Sequence, residues 1–163
     1  MATITSLAQT SSSTTGSTKQ WKTQSTVYKF TFDYATAETA KGSALAAADV
    51  IECIRVPAGS VVTAAGLYCL VAGAGGSADQ TISLGDGGSA ARYAATFDAD
   101  AAVAGTMSAQ IPANEPFNYA SSDTIDITLT AATTVSTTGK WLVWAEVLDI
   151  NDAENVGLAQ IRS

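Results

Sequence analysis

The sequence predicts an all-β protein, a single β-sandwich or jelly-roll-like domain of seven or eight mostly antiparallel strands with an extended N-terminal arm. Apolar and polar residues alternate over several short segments, glycine or proline separates those segments, and no segment keeps a helical period. Short strands between regular turn signals are typical of sandwiches and barrels. The 163 residues suffice for one domain with its own core and some additional chain.

The chain divides into an arm at residues 1–26, a β-sandwich domain at residues 27–150 and a polar C-terminal tail at residues 151–163. Fourteen of the first 26 residues are Ser or Thr. The arm therefore carries too little apolar surface to offset the entropy that it would lose on ordering by itself. We expect another subunit to hold the arm, and the interface candidates are Ile4, Leu7 and Trp21.

The clearest strand follows the arm directly. Aromatic residues occupy every second position and polar residues the positions between them, which predicts a strand with one buried face. The aromatic face comprises Tyr28, Phe30, Phe32 and Tyr34. Residues 35–48 are rich in alanine, but Gly42 interrupts them, so we expect a loop with one helical turn there.

The remaining strands are marked by turn residues and by β-branched composition. We predict them at residues 49–56, 60–71, 81–84, 92–97, 106–111, 123–130 and 140–150. The segment 57–59 breaks the strand before it, Gly66 marks a possible bulge, and the Asp86-Gly87 pair predicts a hairpin-type turn. The last strand is apolar on both faces, with Trp141 and Trp144 on opposite faces, and should be central in its sheet or covered.

The chain has two cysteines, Cys53 and Cys69, which could form one disulfide or remain free. If residues 57–59 form a tight hairpin, Cys53 lies opposite about residue 63, so the two thiols do not face each other. Free, half-buried thiols are therefore favoured, and a disulfide or another pairing is the alternative.

Residues for catalysis or metal binding are scarce. The chain has no histidine, which excludes a Ser-His-Asp triad and a Cys-His dyad and leaves a two-cysteine zinc site without its usual partners. The carboxylate pairs are interpreted as solvated loop acids rather than as a glycosidase or calcium site. These pairs are Asp98 with Asp100, Asp123 with Asp126, and Asp149 with Asp152. We predict no catalytic residue, no metal and no cofactor.

Charge and hydropathy argue against two classes of partner. The net charge is −7, and the eight basic residues form no cluster, so nucleic-acid binding is disfavoured. No apolar run approaches the roughly 18 residues of a membrane-spanning helix. The tryptophans and tyrosines could build a sugar-binding platform, although packing in the core or between subunits is the default role of such side chains.

Four runs of sequence carry a family resemblance. They are ADVIECIRVPAGSVVTAAGLYCLV at 48–71, TISLGDGGSAARY at 81–93, SSDTIDITL at 121–129 and GKWLVWAEVLDI at 139–150. In this order they resemble a group of small β-rich virion proteins of tailed bacteriophages, over roughly residues 27–150. The motifs concerned are structural rather than catalytic.

The resemblance implies a non-enzymatic capsid decoration, or cement, protein. Such a protein would bind and stabilise the shell of the major capsid protein, self-associate as a homotrimer and lie on the outer surface of the capsid after synthesis in the host cytoplasm. The arm would then lie along neighbouring capsid subunits. A tail-fibre or baseplate protein, or a β-sandwich module that binds host glycans, is the alternative.

Overall fold

A computed structural model describes residues 3–4, 25–77, 80–108, 116–130 and 133–150 of the protein. Most of the predicted arm, with Leu7 and Trp21, and the whole predicted tail lie outside these described residues. The elements follow one another as β1 (Thr3–Ile4), β2 (Thr26–Asp33), α1 (Tyr34–Lys41), β3 (Val50–Val56), β4 (Ser60–Ala74), β5 (Thr81–Asp86), β6 (Ser89–Asp98), β7 (Phe117–Tyr119), β8 (Asp123–Thr130) and β9 (Thr138–Asp149).

Two sheets pack face to face, which confirms the predicted β-sandwich. Sheet A has five strands in the order β1-β3-β8-β5-β6, and sheet B has four in the order β2-β9-β4-β7. The two-residue β1 pairs in parallel with β3, and the other neighbours pair antiparallel. The core lies between the sheets, because alternate residues of each strand point inward.

The aromatic face of β2 packs into this core as predicted. Phe32 and Tyr34 are fully buried, and Tyr28 and Phe30 pack against the core while partly buried; Tyr34, predicted as part of this strand, is the first residue of α1. The ring centroids of Phe32 and Tyr34 are 4.7 Å apart in an edge-to-face arrangement, which is a favourable geometry for aromatic pairs.

The last strand, β9, is central, as its sequence predicted. It lies between β2 and β4, and its inward side chains, Trp141 among them, are buried. Its outward residues Leu142, Trp144 and Leu148 are half-buried. The two tryptophans therefore do occupy opposite faces, with Trp141 in the core and Trp144 on the outer face of sheet B.

The segment after β2 is a helix of eight residues, so the expected loop with a single helical turn was wrong. Asp33 caps the start of α1, because its Oδ1 accepts hydrogen bonds from Ala35 N at 3.0 Å and Thr36 N at 3.4 Å. Gly42 does not interrupt the helix but ends it, in a left-handed conformation with φ of 75°.

The segment 57–59 joins the two sheets, so it is not the tight hairpin that was considered as the condition for the position of Cys53. β3 belongs to sheet A and β4 to sheet B, and Gly59 N donates to Tyr119 O of β7 at 2.7 Å. Cys53 and Cys69 consequently lie on opposite sheets, and both thiols are free. This confirms the favoured free state, but the thiols are fully rather than half buried.

Two smaller predictions also need correction. Gly66 is not a bulge, since it pairs in register with Trp144; the register shifts lie between Val62 and Ala64 and after Cys69. A short strand at 106–111 is not seen in residues 106–108, where Met107 makes one isolated bridge; residues 109–111 lie outside the description. The Asp86-Gly87 turn is confirmed as the β5–β6 hairpin.

Candidate functional site

Exposed apolar side chains cluster at one edge of sheet B. We call this cluster the apolar edge patch. Its members, with their exposed fractions, are Leu70 (38%), Val71 (50%), Val103 (70%) and Met107 (42%). All four side chains are apolar, so their exposure to water is unfavourable.

The patch forms because the loop at 101–108 runs along the outer edge of β4. Cys69 N donates to Thr106 O at 2.9 Å, and Ser108 N donates to Leu67 O at 2.9 Å. These backbone bonds place Val103 and Met107 beside the exposed residues of β4. The loop thereby covers part of the strand's backbone edge while it presents its own apolar side chains outward.

A β-bulge explains why two consecutive apolar residues of β4 are exposed. Cys69 pairs with Trp141 and Val71 pairs with Lys140, so β4 advances two residues while β9 advances one. The extra residue, Leu70, breaks the inward–outward alternation that would otherwise bury one of the pair. The bulge therefore leaves two adjacent apolar side chains exposed at this end of β4.

The outer face of sheet B extends the patch with half-buried aromatic side chains. Tyr68 pairs with Leu142 and bridges to Met107. One register step further, the indole of Trp144 lies so close to Gly66 that a Cβ there would approach ring atoms to 3.0 Å. Exposed apolar side chains of neighbouring elements make this part of sheet B a candidate surface for contact with another macromolecule.

A polar cluster at the end of the β5–β6 hairpin has a different character. The buried carboxylate of Asp86 accepts hydrogen bonds from the hairpin amides of Gly88 and Ser89 at 3.0 and 2.8 Å, from Arg92, and from the hydroxyl of Tyr119 at 2.7 Å. Burial alone would raise the pKa of Asp86, but the bonds from Arg92 and Tyr119 outweigh burial and hold it below its usual value.

Neighbouring groups complete this cluster. The hydroxyls of Tyr93 and Tyr119 share a hydrogen bond of 2.5 Å, and the Arg92 guanidinium lies 3.5 Å from the centroid of the Phe117 ring. Burial raises the pKa of Tyr93 to about 12. The shallow cavity beside these residues measures about 260 Å³. Because the carboxylate is fully engaged, the cluster fastens the hairpin to β7 and presents no free nucleophile or base.

A second buried carboxylate, Asp126, lies on the outer face of sheet A. Asp126 of β8 stands directly beside Glu52 of β3 in the strand register and is 6% exposed. Its Oδ1 has no hydrogen-bond partner among the described residues. Burial and then the nearby charges of Glu52 and Asp123 raise the pKa of Asp126 to about 7.

The residues singled out from the sequence are placed as follows. Ile4 lies in β1, whereas Leu7 and Trp21 are outside the described residues. Asp98 Oδ1 accepts hydrogen bonds from the amides of Asp100 and Ala101 at 3.3 and 2.9 Å, so Asp98 builds a turn.

Within the described ranges, no group of three or more His, Cys, Asp or Glu side chains could hold a metal ion. No helix in this part of the chain is long and apolar enough to cross a membrane.

The apolar edge patch and the environments of the carboxylates of Asp86 and Asp126 were not predicted from the sequence. One feature of the sequence could have predicted the Asp86 cluster. Arg92 and Tyr93 follow shortly after the Gly-Asp-Gly turn at residues 85–87. The patch had only the apolar pair at 70–71 as a signal, since its other members lie in a loop that the sequence does not place beside β4.

Comparison with known proteins places this fold among structures of phage capsids. No protein-family model and no curated protein matches the chain. A chain in the structure titled "Cyanophage Pam1 capsid asymmetric unit" matches 86% of this chain and 96% of its own length, with a TM-score of 0.56 and 16% identity. A chain in "Capsid of Ralstonia phage GP4" matches 77% and 84%, with a TM-score of 0.51 and 13% identity. The β-sandwich of this chain is thus a fold that two phage capsids contain.

Proposed function

We propose that this protein is a non-enzymatic structural protein of a phage virion, and specifically a decoration, or cement, protein that binds and stabilises the outer surface of the major capsid shell. The observation that carries the proposal is the shared fold, which extends over 96% of a chain in one phage capsid structure. At 16% identity the likeness concerns the fold, so the role in the virion is our inference.

The apolar edge patch is the surface through which we propose that the protein contacts the shell. Burying Leu70, Val71, Val103 and Met107 against a partner removes apolar area from water, which contributes about 25 cal/mol per Å². A protein that binds only the assembled shell stabilises that state by mass action. Many copies then multiply a modest contact energy over the whole particle.

Self-association and the arm complete the proposal. We propose a homotrimer, because the phage virion proteins that the sequence resembles often form trimers over the symmetry axes of the capsid. The arm, with the interface candidates Ile4, Leu7 and Trp21, would lie along neighbouring capsid subunits, with Ile4 paired to Ile51 at the edge of sheet A and Leu7 and Trp21 as the proposed contacts. The proposed partners are therefore the major capsid protein and further copies of this chain.

The test is binding to empty heads of the phage that encodes the chain. Val103→Lys places a charge in the patch, and we expect the dissociation constant to rise at least about tenfold. Val27→Lys is the matched control, since Val27 is 54% exposed on β2 at the opposite edge of sheet B, and it should bind as the wild type does. If the wild-type protein does not bind heads, the cement role is refuted. If Val103→Lys and Val27→Lys bind heads equally well, the apolar edge patch is not the surface that contacts the shell.

Trp144 supports a second candidate function, a module on a tail fibre or baseplate that binds host glycans. Its indole lies next to Gly66 on the outer face of sheet B, where a Cβ would meet three ring atoms at 3.0–3.1 Å, and a half-buried tryptophan on an outer face can stack against a sugar ring. Trp141 is fully buried and cannot contribute. Glycan-array binding that is lost in Trp144→Ala, together with no affinity for heads, would favour this candidate over the cement role.

A further inference from the structure

A group of buried polar side chains closes one end of the core, between the start of α1 and the segments at 98–101 and 133–137. Tyr34, Gln80 and Ser136 are each 0% exposed. Gln80 Nε2 donates to the hydroxyl of Tyr34 at 2.6 Å, and Ser136 N donates to Gln80 Oε1 at 2.6 Å. Because a backbone N–H can only donate, the second bond fixes which end of the Gln80 amide faces Tyr34. The Tyr34 oxygen is therefore an acceptor in this bond, and none of the described residues accepts its own O–H.

Two further polar atoms at this end of the core are buried and have no hydrogen-bond partner among the described residues. They are Ser136 Oγ and Asp100 Oδ1. An ideal Cβ on Gly73 would lie 2.9 Å from Ser136 Oγ and 3.0 Å from the carbonyl oxygen of Ala99, so Ser136 Oγ lies beside the residue that precedes Asp100. Burial raises the pKa of Tyr34, and the nearby charge of Asp100 raises it further. The three polar groups therefore lie in one region of the core.

The indole of Trp141 adds a second donor at the same end of the core. Its Nε1 is buried and has no partner in the described part of the chain. Trp141 follows two residues after Gly139, where a Cβ would lie 3.1 Å from Tyr34 Cδ2. The Trp141 ring packs edge to face on Phe97, with centroids 5.2 Å apart, and Asp100 follows Phe97 closely. Two donors therefore need an acceptor, one carboxylate oxygen needs a donor, and one serine hydroxyl can serve as either.

We infer that this end of the core is a hydration site: an internal water molecule donates to Asp100 Oδ1 and hydrogen-bonds with Ser136 Oγ and the Tyr34 hydroxyl. A water molecule both donates and accepts, so it serves the carboxylate and the hydroxyl at once. Buried waters typically make about three hydrogen bonds to polar groups that lack other partners, and these three groups supply that number. A metal ion fits less well, because a cation cannot accept the O–H of Tyr34 or the N–H of Trp141.

The hydration site connects three parts of the chain that are distant in sequence. Tyr34 begins α1, Asp100 lies in the turn that Asp98 builds, and Ser136 precedes β9. Bonds through an ordered water are nearly as favourable as direct ones, so the water holds these three parts together. The site is independent of any role in a virion, because it lies inside the core of a single copy.

The test is magnetic relaxation dispersion of the water oxygen nucleus in a solution of the full-length protein. This signal comes from water molecules that stay bound for longer than the protein takes to tumble. Ser136→Val removes the hydroxyl and fills the space beside it with methyl groups, so the dispersion amplitude should fall by that of about one water molecule. Ser121→Val is the matched control, since Ser121 is exposed, and it should keep the wild-type amplitude. Equal amplitudes in the wild type and in folded Ser136→Val would overturn the inference.

A high-resolution crystal structure of the wild-type protein is a second measurement, and it decides the question if Ser136→Val does not fold. The electron density should show a water molecule within about 2.7–3.2 Å of both Ser136 Oγ and Asp100 Oδ1. A direct contact between these two side chains, or no density between them, would contradict the hydration site. Ligand distances of about 2.3–2.6 Å would identify a cation such as calcium instead, and that result would equally contradict it.

Discussion

Asp126 makes the stability of this protein depend on pH in a direction opposite to that of most acidic residues. It is nearly fully buried and lies directly beside Glu52. Burial and then the charges of neighbouring acids raise its pKa from 3.8 to about 7, although a hydrogen bond from Thr124 opposes them. Asp126 therefore binds a proton in the folded state at pH values where the unfolded chain has released it.

The size of the effect follows from these two values. The difference between 3.8 and about 7 corresponds to a loss of up to about 4 kcal/mol of folding free energy, since each pH unit contributes 1.36 kcal/mol. Between these pH values the folded state holds more protons than the unfolded state, so stability falls as the pH rises. Below 3.8 both states are protonated and the contribution of Asp126 is neutral.

Asp126→Asn removes this ionisation and keeps the shape of the side chain. We expect the variant to be more stable than the wild type at pH 8, by up to about 4 kcal/mol, and the gap to shrink towards zero near pH 4. Urea unfolding of both proteins across this range, followed by tryptophan fluorescence, measures the gap.

Glu52→Gln provides an independent check of the cause. Removing the neighbouring charge should recover part of the stability at pH 8, because the proximity of Glu52 raises the pKa of Asp126. A gap between Asp126→Asn and the wild type that is the same at pH 4.5 and at pH 8 would refute the reasoning. In that case the substitution would act through packing rather than through a proton.

Three further substitutions test other contacts. Arg92→Met leaves the buried Asp86 carboxylate without its cation, so the free energy of unfolding measured with urea should fall by about 3 kcal/mol. A much smaller loss would show that Arg92 contributes by packing alone. Gly66→Ala places a Cβ 3.0 Å from the Trp144 ring, so we expect a shifted tryptophan emission and a loss of about 1–2 kcal/mol. Gly42→Ala forces a side chain into φ of 75° and should lower stability by about 1 kcal/mol in thermal unfolding, whereas an unchanged melting temperature would show that the helix end relaxes.

The sequence was sufficient for features that depend on local alternation. The buried aromatic face of β2, the central position of β9 and the hairpin at Asp86-Gly87 all follow from side-chain period and turn chemistry. These features belong to single strands or to two adjacent ones. Prediction from the sequence therefore succeeded for features that are set by the residues of one segment and those next to it in the sequence.

Features that depend on which sheet a strand joins could not be predicted. Pro57 and Gly59 are equally compatible with a hairpin and with a corner between sheets, and only the packing decides between them. The proximity of Glu52 and Asp126 requires the β3–β8 register, which joins residues more than seventy positions apart. The apolar edge patch likewise depends on a loop that docks along β4.

β9 is central in sheet B but is synthesised after both of its neighbours, and this order affects how the sheet folds. β9 separates β2 from β4 in sheet B, yet it is made after both of them. Until it emerges from the ribosome, β2 and β4 have unpaired backbone edges, and the aromatic face of β2 has no finished core to enter. Sheet B therefore closes only after β9 has been made, and a nascent chain that pauses before residue 138 leaves the edges of β2 and β4 that face β9 unpaired and open to aggregation.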